Sequence, residues 1–211
     1  MQGLIVICCL VIKGTKKKIN KYLYFYKSTN SAMKKNAFIL WIPVTLLYLY
    51  MAAVQMPHVS AVLQEKSTEP TCAKPLDLYI GGFTSARAYK SLHCMGDDGR
   101  AYYRTIETRT DAVYPLVYGL FFALSVYLLG RYYLKNKWLI NVLTIIPLVG
   151  MLFDYYENYQ VVQLIDAFPV IDNRVAANAA FGNAAKWYLA FAAMASIVVL
   201  AIGSLIKRFR N

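Results

Sequence analysis

Four stretches of about 20 mostly apolar residues dominate this chain, and a run of that length is what an α-helix needs to cross the hydrocarbon core of a bilayer. They cover residues 37–56, 112–130, 138–158 and 187–206. Pro43, Pro115 and Pro147 lie inside them, and proline is tolerated in membrane helices. Residues 1–12 are apolar too but too few to span. Hydrophobic residues make up 58% of the 211 and charged residues only 16%, well away from the balance of a soluble domain. Tyr, at 18 residues, suits the membrane–water boundary, where its ring and hydroxyl are both accommodated. The fold class expected is therefore an all-α integral membrane protein, a four-helix bundle with a helical extracytoplasmic loop.

The charges sort by segment. Eight lysines precede the first stretch; Arg131, Lys135 and Lys137 separate the second and third; Lys207, Arg208 and Arg210 follow the fourth. None of these segments holds an Asp or Glu. The positive-inside rule then puts 1–36, 131–137 and 207–211 in the cytoplasm and 57–111 and 159–186 outside, giving a multi-pass protein of the plasma or inner membrane with both termini inside. The net charge of +12 is thus a topology signal. No basic stripe interleaved with aromatics lies on a soluble segment, so nucleic acid is not an expected partner. Met33 opens a second start, MKKNAFILW, which would make 1–32 an upstream extension. The first stretch then resembles a signal peptide with Val59, Ser60 and Ala61 as a small-residue cleavage site; its length favours a retained span.

In the segment 57–111 the run LDLYIGGF reads as a short extended piece. Thr84 or Ser85 can cap a helix running to about Cys94. Gly96 stops it, and Asp97 or Asp98 caps another from about Gly99 that continues into the second span. Cys72 and Cys94 are the cysteines of this segment, and an oxidising compartment favours a disulfide between them, with two free thiols as the alternative. Cys8 and Cys9 carry no expectation. His58 and His93 match no metal-site spacing, so no metal is expected, and no cofactor is indicated. Ala176, Ala180 and Ala184 recur every fourth residue, which suits close helix packing.

Ionisable groups gather near one boundary of the spans. At about 100° per residue, Arg100, Arg104, Glu107, Asp111, Tyr114 and Tyr118 share one helix face. Asp154, Glu157 and Asn158 share another at i, i+3, i+4 spacing. Lys186 opens the fourth span at the same depth. Charges near hydrocarbon usually pair or face a polar cavity, so Asp111, Asp154, Glu157 and Asn158 are expected together, balanced by Lys186 or Arg100.

The run from Leu76 to Phe122 resembles a family of small, uncharacterised multi-pass membrane proteins. The resemblance rests on Thr84, Gly96, Gly99, Arg100, Tyr103, Asp111, Tyr114, Pro115 and Tyr118. It extends to Phe153, Asp154, Tyr155, Glu157 and Asn158 and covers about residues 76–190. It implies the fold and marks candidate positions, without an activity. The candidate polar pocket therefore comprises Arg100, Tyr103, Asp111, Tyr118, Asp154, Glu157, Asn158 and Lys186.

Two readings of function stay open. The leading one is a non-enzymatic membrane protein whose outward pocket takes a cation, a lipid headgroup or a small solute, or which acts as an assembly partner of a membrane protein or of itself. The other is a membrane enzyme using acidic residues near the outer interface on a lipid or polyprenyl substrate. No nucleophile motif or phosphate loop supports the second.

Overall fold

The computed structural model describes residues 35–210. The basic N-terminal segment, Cys8, Cys9 and the second start at Met33 lie outside them. The chain divides into two compact units, 1–40 and 41–211. Of the first only 35–40 are described, as helix; the contacts, cavity and site below belong to the second.

Four long helices make up the structure, and among the described residues there is no strand. They are α1 (Lys35–Lys66), α2 (Ser85–Tyr133), α3 (Lys137–Ala167) and α4 (Asn173–Arg210). Each is long and apolar enough to cross a membrane. Side-chain caps start three of them. Thr84 accepts from the Arg87 N–H at 3.3 Å, Asn136 from Trp138 and Leu139 at 3.0 and 3.3 Å, and Asp172 from Arg174 and Val175 at 2.9 and 3.1 Å. Each cap satisfies N–H groups that the first helical turn leaves open. Among the described residues Asp97 makes no side-chain cap to the helical segment that follows Gly96; it pairs with Arg100 three residues on.

The helices are longer than the apolar runs that announce them. The segment 159–186 is mostly helix: α3 runs on to Ala167 and α4 begins at Asn173. The run LDLYIGGF is not extended; Leu76–Leu78 form a single 3₁₀ turn. These extra turns build a headpiece with its own core. Leu63 of α1, Leu76 of the connecting segment, Leu92 and Met95 of α2, Leu164 of α3 and Ala176 and Ala179 of α4 are all fully buried there. Each such leucine stabilises by about 1.5–3 kcal/mol relative to exposure. The connection 67–75 is fastened to α2 by backbone bonds from Thr68 to Met95 and from Glu69 to Cys94, 3.3 and 2.8 Å. Cys72 and Cys94 stand at disulfide distance beside them, Cα–Cα 5.7 Å.

Gly96 has φ +63°, and a Cβ there would collide with the Thr68 hydroxyl. Glycine is thus required twice, for the left-handed backbone and for the approach of Thr68. The backbone leaves helical geometry at Gly96, so the first helical segment stops there as expected, and α2 consists of two helical segments meeting at this kink.

Two turns are widened. Met51–Gln55 in α1 and Ile106–Thr110 in α2 are π-turns, closed by bonds from Met56 to the Met51 carbonyl and from Asp111 to the Ile106 carbonyl. Such turns insert one residue per helical turn and recur at functional sites.

Packing is most extensive between α3 and α4, then between α2 and α3. At the first of these interfaces the Cβ position of Gly182 falls 3.2 Å from the backbone of Glu157. That approach sets Asn183 and Lys186 of α4 against α3. Further from the headpiece, Tyr48 of α1 stacks on Phe121 of α2 at 4.4 Å, and the Trp41 indole donates to Ser125 at 2.8 Å. Outward faces carry large exposed apolar side chains, among them Leu46, Tyr50, Ile145, Leu152, Val199 and Leu205.

Candidate functional site

Where the headpiece meets the long apolar stretches, polar side chains converge from several helices. On α3, Asp154, Glu157 and Asn158 sit on one face and are all buried; on α4, Asn183 and Lys186, three residues apart, are buried opposite them. Lys186 Nζ lies 2.7 Å from Glu157 Oε2 and 3.1 Å from Asp154 Oδ1. The remaining oxygens of both carboxylates are also engaged. The Tyr118 hydroxyl donates to Asp154 Oδ2 at 2.8 Å, and Asn183 Nδ2 donates to Glu157 Oε1 at 2.9 Å. Asn183 also reaches the Leu76 and Asp77 carbonyls at 3.3 and 3.2 Å and accepts from Gly82 N–H at 3.0 Å. One asparagine thereby ties the connecting segment to the ion cluster.

Asn158 has a different task. Pro115 has no N–H, so the Asp111 carbonyl one turn earlier lacks its usual helical donor. Asn158 Nδ2 supplies it at 3.1 Å.

A cavity of about 270 Å³ opens beside this cluster. Asp77, Asp111 and Asp154 line it, with Lys186 as the cation among its lining residues. Lys186 is already shared by two carboxylates. Asp111 is 8% exposed, and its carboxylate has no hydrogen bond or ion pair among the described residues. Burial pushes the Asp77 carboxyl above the ordinary carboxylate range; Lys186 acts in the opposite sense and Asp154 in the same one. Glu107, which does not line the cavity, is 4% exposed, and among the described residues neither of its oxygens has a hydrogen-bond partner. Ser60 apart, the rest of the lining is aromatic and apolar: Tyr48, Tyr114, Tyr118, Phe122, Trp187 and Met194 stand out. The Trp187 indole is held by the Asp77 carbonyl at 2.9 Å.

Of the eight residues singled out in the sequence, Tyr103, Asp111, Tyr118, Asp154 and Lys186 line this cavity. Glu157 lies behind Lys186, and Asn158 repairs the backbone at Pro115. Arg100 is elsewhere. It pairs with Asp97, donates to the Leu92 carbonyl at 2.9 Å and stacks on Phe168 at 4.1 Å. Arg104 likewise turns to Asp166, at 2.6 and 3.1 Å. The cause is the π-turn. The α2 lining residues run Tyr103, Ile106, Asp111, Tyr114, Tyr118, Phe122. The five-residue step from Ile106 to Asp111 is the widened turn, so a regular helical wheel carried across it puts the arginines on the wrong face.

The sequence pattern alone misses Asp77, Asn183, Tyr48 and Trp187. Asn183 has a signal, one turn before Lys186 in an Ala- and Gly-rich helix. Asp77 has none, because its position depends on how the connecting segment folds back.

Compared with family models, curated proteins and solved structures, the chain matches none. The fold and site define a helical protein with four helices long enough to cross a membrane and a partly enclosed acidic, aromatic cavity between them.

Proposed function

We propose that this is a four-span membrane protein that binds an organic cation in its acidic cavity, without catalysis. Lipid-facing apolar surfaces and the basic residues clustered at Arg131–Lys137 and Lys207–Arg210 support insertion with that end in the cytoplasm. The cavity then opens at the outer boundary. One observation carries the ligand assignment: Asp77 and Asp111 line the cavity without a cation of their own, while Lys186 is committed to Asp154 and Glu157. Placing ionisable groups there is costly unless something of opposite charge joins them.

The charge favours a cation, and the geometry favours an organic one. Among the described residues, the trio of Asp, Glu, Cys or His ligand atoms gathered within 4.8 Å is Glu69, Cys72 and Cys94, away from the cavity. Among the described residues no three cavity carboxylates gather their oxygens within that distance, which disfavours a chelated metal ion. Tyr48, Tyr114, Tyr118 and Trp187 offer π-faces, which attract ammonium groups. An anionic polyprenyl phosphate would meet three carboxylates and a lysine already engaged, which disfavours the enzymatic reading.

The test compares dodecylamine, dodecanol and dodecanoate as additives in thermal unfolding of the purified protein in a non-ionic detergent. A ligand bound only by the folded state raises the melting temperature by mass action. The amine should stabilise the wild type and lose that effect in Asp111→Asn. Equal stabilisation by the alcohol, or an unaltered response of Asp111→Asn, would overturn the proposal.

A further inference from the structure

The cavity is chemically divided along the helix axes. Its acidic groups, Asp77, Asp111 and Lys186-bound Asp154, sit toward the headpiece end, among the apolar Val59, Pro75, Leu78 and Ile106. Below them the lining becomes apolar: Phe122 on α2, Ala190 and Met194 on α4, and the Tyr48 ring on α1. Phe122 lies 11 residues beyond Asp111, about 16 Å along a helix, and Met194 lies eight beyond Lys186, about 12 Å. Of these, Phe122, Tyr48 and Met194 belong to a separate apolar cluster built on Tyr118, Phe122 and Ala193. The cavity therefore leads from charge into the apolar middle of the bundle, where a small hydrophilic cation would find no partner.

Its side wall is α1, the helix with the least of its apolar stretch buried, 6% against 22–39% for the others. Leu46, Leu47, Leu49 and Val54 of that helix are exposed, so in a bilayer lipid chains lie directly against the wall. At about 270 Å³ the space is slightly smaller than pockets for drug-sized ligands, about 300–1,000 Å³. That fits one alkyl chain and not two.

We infer that the occupant is a single-chain lipid amine, its ammonium against Asp77 and Asp111 and its chain lying along Phe122, Ala190 and Met194, entering from the bilayer past α1. This rests on the organic-cation reading and adds the requirement for a tail.

The test is a chain-length series, butylamine, octylamine and dodecylamine, titrated against wild type and Ala190→Leu in the same non-ionic detergent, with Met194→Ala as a second variant. Each methylene buried in the lower cavity should strengthen binding about fourfold in the wild type. Ala190→Leu, which occupies the tail space, should weaken dodecylamine at least tenfold and leave butylamine within twofold. Met194→Ala, which enlarges it, should change dodecylamine binding and leave butylamine within twofold. Affinity independent of chain length, or Ala190→Leu weakening all three amines equally, would overturn the tail assignment while leaving the cation site intact. Dodecanol binding as well as dodecylamine would instead remove the cation reading on which the inference stands.

Discussion

Replacing Lys186 with methionine removes the cation from the centre of the buried cluster while keeping most of its bulk. Two carboxylates then lose their partner, Glu157 at 2.7 Å and Asp154 at 3.1 Å. Breaking a buried ion pair from one side costs about 3–5 kcal/mol, because the charge left behind is uncompensated. Tyr118 still donates to Asp154 and Asn183 to Glu157, which places the expected loss near the lower figure, about 3 kcal/mol. The reverse deletion is milder. In Asp154→Asn, Lys186 keeps Glu157, and the expected loss is about 1–2 kcal/mol. The double variant should be less destabilised than the sum of the two by about 1–2 kcal/mol, the coupling expected of residues in contact. Unfolding in detergent followed by circular dichroism, with denaturant to obtain free energies, measures all four corners of the cycle. Strict additivity, or a loss under about 1 kcal/mol for Lys186→Met, would refute the reasoning that this lysine is the counter-cation of both carboxylates.

Glu107, with two buried and unpartnered oxygens, should be a liability. Glu107→Met, apolar and similar in size, is expected to stabilise the protein by about 1–3 kcal/mol, read as a higher melting temperature; a lower one would show that the carboxyl is needed. Asp77 has a raised folded value against an ordinary 3.8. Its contribution is fully present below 3.8 and is lost as pH rises through the folded value. Asp77→Asn should therefore gain stability relative to wild type as pH is raised from about 4, and a gap that stays constant from about pH 4 to 8 would contradict this. A bond between Cys72 and Cys94, 22 residues apart, should contribute about 3 kcal/mol by loop closure. The Cys72→Ser/Cys94→Ser variant should then melt lower than wild type, and reductant should lower the wild type alone; insensitivity of both would show two thiols.

The four long apolar helices were legible because an apolar run of bilayer length is hard to bury in anything but a bilayer. Their true extent was not. Charged, Ala-rich stretches such as 159–186 read as loop when the bilayer is the assumed solvent, yet they bury Leu164, Ala176 and Ala179 in the headpiece core. Asp154, Glu157 and Lys186 could be grouped from depth and spacing because α3 and α4 are regular there. Arg100 could not be placed. Its apparent register with Asp111 assumes an unbroken α-helix, and the π-turn at Ile106–Thr110 intervenes. The role of Asn158 was hidden for a related reason: it answers a missing donor at Pro115, on another helix.

Native mass spectrometry of the protein extracted from its source cells in mild detergent tests most directly whether the cavity holds a cationic amphiphile. The wild type should carry one adduct per chain whose mass, on release, is that of a single-chain amine, and Asp77→Asn/Asp111→Asn should lose it. Retention of the same adduct by that variant, or an adduct that is anionic once released, would contradict the assignment.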